Sequence, residues 1–288
     1  FILFLGVLRS YKGLSPLLKA AKELKSRLNE KIGQKVHPMF VGTFHSFCYK
    51  LMKDYQINNA DSSSLIDQSE AVHMILENYD DFMPFMSEEF SISPKISVVE
   101  SFIPFFNRLR DELVDIDKVD QSILKEFYED DVESFNQLND LLRIFPIYQN
   151  LKIENNLIDY NDMIIDSFNA LKNDIRLLEK VQLKYEHLII DEFQDNNYAL
   201  NEISRLISKK NRSITVVGDD DQVIYSFRGA NAFNISTFEK TYESHPNYKM
   251  ITLETNYRSS QPILDLANHS IKHNKERKVK SLVSAGKN

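Results

Sequence analysis

The stretch EHLIIDEFQD, residues 186–195, decides the fold of this chain. Its apolar run, from Leu188 to Ile190, ends abruptly at Asp191 and Glu192, which indicates a buried strand with two carboxylates at its carboxyl end. In open α/β sheets, ligands bind at that end of the strands. One carboxylate can hold Mg²⁺, which prefers oxygen ligands, and its neighbour can accept a proton from an attacking water. The stretch therefore predicts the metal and the base of a site that hydrolyses a nucleoside triphosphate.

A second strand is indicated by SITVV, residues 213–217, which ends in the polar turn GDDDQ, residues 218–222. Between the two strands, apolar residues at helical spacing indicate a helix over residues 197–208. Strand, helix and strand within about 30 residues form one βαβ unit with parallel strands. We therefore expect Gln222 beside the two carboxylates, where its neutral amide can bond a terminal phosphate or the attacking water.

Two further stretches follow strand-like segments. TFHSF, residues 43–47, comes after MFVG, residues 39–42, and its hydroxyls and imidazole can bind phosphate groups. NYRS, residues 256–259, comes after the strand predicted at residues 250–253 and supplies an aromatic ring and an arginine. Loops at strand ends commonly carry binding sites, so both stretches are candidate functional segments.

These stretches together resemble the motifs of one family. DEFQD, residues 191–195, resembles motif II, the Walker B box, of the UvrD/Rep/PcrA group of superfamily 1 helicases, and residues 218–230 resemble its motif III. Residues 43–47 resemble its Ib box and residues 253–259 its motif IV. The four boxes stand in the family's order. The resemblance implies an α/β fold with the parallel-sheet core of a RecA-like P-loop NTPase.

The distribution of glycine indicates how the chain is divided. No glycine occurs between Gly42 and Gly218, and glycine supplies the positive-φ positions of tight turns. Apolar residues at helical spacing in 64–79, 123–142 and 160–178 predict helices there. We therefore expect an all-helical domain inserted into the α/β domain, as the resemblance also implies. The predicted division is RecA-like domain 1A in residues 1–54 and 185–248, helical insertion 1B in residues 55–184, and the start of RecA-like domain 2A in residues 249–288.

On the nucleotide side, the resemblance implies a role for each strand-end residue. Asp191 would hold Mg²⁺, usually through water, and Glu192 would polarise the attacking water. Gln222 would sense the γ-phosphate of ATP. Tyr257 would stack on the adenine and Arg258 would reach the γ-phosphate, where an arginine stabilises the charge that develops in phosphoryl transfer.

On the DNA side, the resemblance implies contacts from the Ib box and motif III. The ring of Phe227 in motif III would lie under a base of single-stranded DNA. Such stacking contributes roughly 1–3 kcal/mol for any base. Without the flanking Gly218 and Gln222, we would favour the interpretation of Tyr225 and Phe227 as alternating residues of an ordinary strand. The candidate DNA-binding residues are Thr43, His45, Ser46, Tyr225, Phe227 and Arg228.

Composition narrows the classes of function. The chain has 288 residues, enough for more than one domain, and no apolar run long enough to cross a bilayer. A net charge of −7 argues against broad electrostatic coating of nucleic acid, although a local groove can still bind a strand. A single cysteine, Cys48, permits no internal disulfide and suits a reducing cytoplasm. We expect a cytoplasmic protein without a membrane partner.

Other family segments are not found in the sequence. No Gly-x-x-x-x-Gly-Lys-Ser/Thr phosphate cradle occurs, and in the family it would lie upstream of Phe1. Motifs V and VI would lie beyond Asn288. We therefore expect the middle portion of an ATP-dependent DNA helicase or translocase of the UvrD/Rep type, with ATP and Mg²⁺ as cofactors and single-stranded or duplex-junction DNA as partner. Movement is expected from 3′ to 5′, and the 288-residue chain alone is not expected to hydrolyse ATP.

Other interpretations of the same residues stay open. The chain could be a non-catalytic module that binds DNA or docks a protein, or part of a helicase–nuclease related to RecB or AddA. Asp219, Asp220 and Asp221 could also serve a two-metal nuclease. We interpret these three as turn residues, because Gln222 and Arg228 fit motif III better.

Overall fold

Four parallel strands form the main sheet, in the order β2–β1–β5–β6. The computed structural model describes residues 2–6, 26, 30, 39–91, 93–210, 213–223, 234–274 and 277–286. Two small parallel pairs, β3 with β4 and β7 with β8, accompany the main sheet. The strands are β1 (Ile2–Gly6), β2 (Phe40–Thr43), β3 (Ser64–Leu65), β4 (Leu157–Ile158), β5 (His187–Ile190), β6 (Ile214–Val216), β7 (Thr255–Asn256) and β8 (Val283–Ser284).

Helices make up most of the described chain between the second and fifth strands. The helices are α1 (Phe44–Tyr55), α2 (Gln68–Glu77), α3 (Tyr79–Phe82), α4 (Glu88–Ser91), α5 (Lys95–Asp111), α6 (Gln121–Phe127), α7 (Val132–Glu154), α8 (Tyr160–Asn173), α9 (Ile175–Lys184), α10 (Tyr198–Ser208), α11 (Asn234–Tyr242) and α12 (Gln261–Ile271).

The strand that carries the two carboxylates is confirmed as β5. It lies inside the sheet, paired in parallel with β1 on one side and β6 on the other. Leu188 and Ile190 are fully buried, as an apolar run in an interior parallel strand requires. The helix predicted between the two strands is observed as α10. Because β5 and β6 run in parallel, the polar residues that follow them meet at one edge of the sheet.

The buried apolar side chains form two separate cores. One core contains residues of α1, β5 and α10 together with residues of α8 and α9. The other is built by residues between 66 and 151 and includes stacked aromatic rings of α5 and α7 such as Phe106 and Tyr148, whose centroids are 5.1 Å apart. Helices α8 and α9, within the insertion predicted over 55–184, therefore pack in the core next to the main sheet.

Two of the predicted helices are divided by an aspartate. The predicted helix over 123–142 is interrupted before α7, where the Asp131 side chain accepts a hydrogen bond from the Ser134 N–H at 3.0 Å. The predicted helix over 160–178 is interrupted at Asp174, which caps α9 by accepting from the N–H groups of Arg176 and Leu177. Apolar spacing continues through both breaks, so periodicity alone could not locate the caps.

A buried ionic cluster joins the end of α5, the end of α7 and the start of α8. The Arg110 guanidinium and the Lys152 ammonium, both nearly inaccessible, lie 2.7 and 2.8 Å from Asp159 Oδ2. The same two cations contact Asp162, and the Tyr148 hydroxyl donates to Asp159. Burial alone would raise the pKa of Asp159, but the charges of Arg110 and Lys152 together hold it well below its usual range. Asp159 also caps α8 through the N–H groups of residues 161 and 162.

Removing Asp159 is expected to destabilise the protein strongly. Asp159→Ala leaves two buried cations without their shared partner, and breaking a buried ion pair in this way costs about 3–5 kcal/mol. Denaturant unfolding at neutral pH measures the loss. Because the pKa of Asp159 is lower in the folded state, its contribution is present above its ordinary pKa and fades as pH falls through the folded value.

Asp115→Ala provides the matched control, because Asp115 pairs with Lys118 at the surface. Exposed pairs of this kind are worth about 0–1 kcal/mol. Equal losses for the two variants would show that the buried cluster does not stabilise the fold.

Candidate functional site

The backbone turns sharply directly after β5. Glu192 has a φ of 52°, in the left-handed region that residues with a side chain rarely adopt. The turn is held from both sides, since the Asp191 carboxylate accepts the Glu192 N–H at 3.0 Å and the Phe193 N–H donates to the Val217 carbonyl at 2.9 Å. Such strained positions persist where the surroundings fix them and are frequent at functional sites.

A chain of hydrogen bonds connects the carboxylate after β5 to the amide after β6. The Gln194 Nε2 donates to Glu192 Oε2 at 2.8 Å, and the Asp219 N–H donates to Gln194 Oε1 at 3.0 Å. The Gln222 Nε2 in turn donates to Asp219 Oδ2 at 2.7 Å. The structure thus places Glu192 and Gln222 at the same edge of the sheet, joined through Gln194 and Asp219. Asp191 lies at that edge as well, half-buried.

The acidic turn after β6 is occupied by cationic side chains. Asp219, Asp220 and Asp221 are close enough for their carboxylates to share an ion. The Lys280 ammonium contacts all three, at 2.5, 2.7 and 3.1 Å, and Arg277 forms a two-point pair with Asp221. The hydrogen bonds from Arg277 lower the pKa of Asp221. The contacts agree with the interpretation of these aspartates as turn residues.

The residues predicted to contact the nucleotide from motif IV follow β7. Asn256 Oδ1 accepts the N–H groups of Arg258 and Ser259, both at 2.8 Å, which fixes the backbone of the turn. The side chains of Tyr257 and Arg258 are exposed, Tyr257 to 73%. Further along the chain, Arg277 and Lys280 contact the acidic turn at the edge of the main sheet.

The Ib box begins a helix. Thr43 Oγ1 accepts the Ser46 N–H at 3.1 Å and Ser46 Oγ accepts the Thr43 N–H at 2.9 Å, a capping box that starts α1. Burial lowers the pKa of His45 to about 4, so its imidazole is neutral at physiological pH. Its Nδ1 is buried and has no hydrogen-bond partner among the residues that the structure describes. The DNA contacts predicted for these three residues stay predictions.

Three candidate DNA-binding residues of motif III lie outside the described residues: Tyr225, Phe227 and Arg228.

A network of asparagines that the sequence pattern did not predict supports the turn after β5. The buried Asn234 Nδ2 donates to the carbonyl of Asn196 at 2.7 Å, and Asn201 Nδ2 donates to Asn234 Oδ1 at 2.9 Å. Asn196 Nδ2 completes the network by donating to Asn201 Oδ1 at 3.0 Å. Two members of this network, Asn196 and Asn201, are close in the sequence. Its remote member, Asn234, cannot be recognised from sequence spacing.

One contact ties the segment after β5 to the helical part of the chain. Asn197 Nδ2 donates to Asp111 Oδ1 at 2.6 Å, and Asn161 Nδ2 donates to the same oxygen at 3.3 Å. Burial raises the pKa of Asp111 to about 7, against the opposing effect of the Arg110 and Arg108 charges. The carboxylate at this junction therefore changes its charge near neutral pH.

We expect Asp111→Asn to stabilise the protein more at alkaline than at acidic pH. The folded-state pKa of Asp111 lies above its ordinary value, so the stabilising protonated form is lost as pH rises through about 7. Asparagine stays neutral and still offers an oxygen to Asn197. Thermal unfolding should give a Tm higher than wild type by about 2–4 °C at pH 8 and a smaller gain at pH 5, because the wild-type contribution fades between the ordinary pKa and about 7. The exposed substitution Asp115→Asn is the control, and an equal gain for Asp111→Asn at both pH values would contradict the assignment.

Comparison with known proteins agrees with this fold and site. The four-stranded parallel sheet with acids at strand ends is consistent with a RecA-like α/β fold. The family model of the UvrD/REP helicase N-terminal domain matches residues 18–243, and the chain belongs to this family. Among the residues that the structure describes, none of the helices combines the length and the apolar character needed to span a bilayer.

Curated relatives are found in staphylococci. The chain is 32% identical over 269 residues to a Staphylococcus epidermidis protein named ATP-dependent DNA helicase PcrA, an alignment that covers 93% of this chain and 34% of that protein. It is 31% identical over 279 residues to the protein of the same name in Staphylococcus aureus, covering 94% of this chain and 34% of that protein. The chain spans about a third of the length of these relatives.

Proposed function

We propose that the full-length protein is an ATP-dependent DNA helicase or translocase that couples ATP hydrolysis to 3′→5′ movement on single-stranded DNA. The observation that carries the proposal is the hydrogen-bonded connection between Glu192 and Gln222 at the edge of the main sheet. Such a connection supports assigning Glu192 as the base and Gln222 as the phosphate-sensing amide of one site. Membership of the UvrD/REP family and the names of the relatives support the same reaction.

On the nucleotide side, we propose a role for each group at the strand ends. The half-buried carboxylate of Asp191 offers the hard oxygen ligand that Mg²⁺ requires. The bound ion would neutralise charge on the triphosphate. Glu192 orients the attacking water and accepts its proton, and Gln222 donates its amide to the terminal phosphate. Tyr257 and Arg258 complete the site from motif IV, with the ring against the adenine and the guanidinium at the γ-phosphate.

On the DNA side, we propose that the strand crosses the Ib box and motif III. The start of α1 offers the phosphates the polar edge formed by Thr43, His45 and Ser46. Because His45 is neutral at physiological pH, its contribution is a hydrogen bond rather than a charge. Base stacking and a further phosphate contact would come from motif III, through Tyr225, Phe227 and Arg228.

We further propose that the protein acts in the cytoplasm. We also propose three domains: domain 1A in residues 1–54 and 185–248, the helical insertion 1B in 55–184, and domain 2A beginning at 249. The two separate apolar cores support a division between a sheet-containing body and a helical body, but the helical core is built only from residues between 66 and 151, because α8 and α9 pack in the core next to the sheet. Movement would result from closure of the two RecA-like domains around ATP.

The proposal is tested with the full-length protein by ATP hydrolysis and strand displacement. We expect hydrolysis that depends on Mg²⁺ and is stimulated by single-stranded DNA. Displacement should require a 3′ single-stranded tail, and a duplex with a 5′ tail of equal length is the control. DNA binding without any ATP hydrolysis would favour a non-catalytic module instead.

A further inference from the structure

We infer that Gln194 is a positioning residue that holds the Glu192 carboxylate in its working orientation and ties it to the turn that carries Gln222. The inference deepens the proposed function and rests on it. Gln194 is 1% exposed, so its amide is fixed by protein atoms rather than by water.

The two ends of the Gln194 amide have different partners. Its Nε2 donates to Glu192 Oε2 at 2.8 Å, and its Oε1 accepts the backbone N–H of Asp219 at 3.0 Å. A backbone N–H can only donate, so it determines which end of the amide is the oxygen. The NH₂ end must therefore point at the carboxylate. This arrangement gives the Glu192 carboxylate a donor of fixed position at its Oε2 atom.

The neighbouring backbone leaves room for the Gln194 amide. A Cβ atom added to Gly218 would lie 2.7 Å from Gln194 Oε1, closer than such atoms approach in proteins. The glycine after β6 thus allows the amide to reach the Asp219 N–H. The Asn234 amide also contacts the Gln194 carbonyl from the other side, at 3.5 Å. The Gln194 side chain is therefore held by two hydrogen bonds. Its backbone carbonyl also lies near a second buried amide, that of Asn234.

Through these hydrogen bonds, Gln194 also connects Glu192, the proposed base, to Gln222, the proposed phosphate sensor. Asp219, whose N–H it accepts, binds the Gln222 amide through its carboxylate at 2.7 Å. A shift of Gln222 on binding or loss of a terminal phosphate would pull on Asp219 and, through Gln194, on Glu192. The orientation of the base is thereby coupled to the state of the nucleotide.

Two substitutions of Gln194 distinguish a role in orienting the Glu192 carboxylate from a role in packing. Gln194→Met keeps the length and volume but removes both hydrogen bonds. Gln194→Glu keeps the acceptor for the Asp219 N–H and can donate to Glu192 only while protonated. Two adjacent carboxylates share a proton at low pH and lose it as pH rises, because like charges raise the pKa of the pair.

The test is steady-state ATP hydrolysis by the full-length protein with saturating single-stranded DNA. For Gln194→Met we expect kcat to fall by at least about tenfold at every pH, with KM for ATP within about threefold of wild type. For Gln194→Glu we expect kcat close to wild type near pH 6 and a fall of about tenfold towards pH 9, relative to the wild-type profile. A residue that only fills space would not give this rescue at low pH.

The outcomes distinguish this inference from the proposed function. If Glu192→Gln is inactive while Gln194→Met keeps wild-type kcat, the inference is overturned and the proposed function stands. If Glu192→Gln is itself fully active, the proposed function fails. Should Gln194→Met not fold, the ratio of kcat at pH 6 to that at pH 9 in Gln194→Glu decides, and a ratio equal to that of wild type overturns the inference.

Discussion

Glu192→Gln in the full-length protein is expected to reduce DNA-stimulated ATP hydrolysis by at least about 100-fold, the usual contribution of a general base. The amide has the shape of the carboxylate and still offers an oxygen to Gln194 Nε2, so the turn after β5 keeps its bonds. What is lost is the ability to take a proton from the attacking water. Steady-state hydrolysis with and without single-stranded DNA measures the effect, and DNA affinity should stay within about threefold of wild type.

Glu186→Gln is the matched control for this experiment. Glu186 is an exposed residue next to the amino end of β5, the opposite end from the site. The same chemical change there should leave hydrolysis within about twofold of wild type. Wild-type turnover by Glu192→Gln would rule out Glu192 as the base.

Arg258→Ala is expected to lower kcat by about 10³-fold, because an arginine at the γ-phosphate contributes about 10³–10⁵ to phosphoryl transfer. Its backbone is fixed by Asn256 while its side chain is exposed, which suits a group that reaches another domain when a cleft closes. Arg258→Lys should recover little of the rate, since an ammonium cannot make the two parallel bonds of a guanidinium.

The control for Arg258 is Arg176→Ala, an exposed arginine in the first turn of α9. Its removal should leave kcat within about twofold of wild type. If Arg258→Ala hydrolyses ATP as fast as Arg176→Ala, Arg258 is a surface residue without a role at the phosphate.

The position of the two site groups could be predicted from sequence because it depends on local signals. The apolar run before Asp191 indicates a buried strand, and parallel strands within one βαβ unit bring their carboxyl ends together. The expectation that Gln222 and Glu192 lie at the same edge of the sheet agrees with the chain of hydrogen bonds that joins them through Gln194 and Asp219.

The supporting contacts could not be predicted, because they join residues far apart in the chain. Gln194 meets a backbone N–H 25 residues later, and Asn197 meets Asp111 from 86 residues away. Lys280 reaches the acidic turn across 60 residues. No periodicity or turn signal relates such positions, since tertiary packing alone brings them together.

The limits of helix prediction have a similar cause. Apolar residues continue at helical spacing through Asp131 and Asp174, but each carboxylate accepts backbone N–H groups and starts a new helix. A cap of this kind depends on the conformation of one residue. The apolar pattern therefore predicts the helical region but not the breaks within it at Asp131 and Asp174.

The most direct test of the account is a crystal structure of the full-length protein with Mg²⁺ and a non-hydrolysable ATP analogue. We predict that the γ-phosphate lies at the edge of the sheet formed by the residues after β5 and β6. The Gln222 amide and a water held by Glu192 should each lie within hydrogen-bond distance of it, about 3 Å. Asp191 should lie in the coordination shell of the ion, directly or through water. A nucleotide bound with its phosphates away from Glu192 and Gln222 would contradict the proposed roles of these two residues.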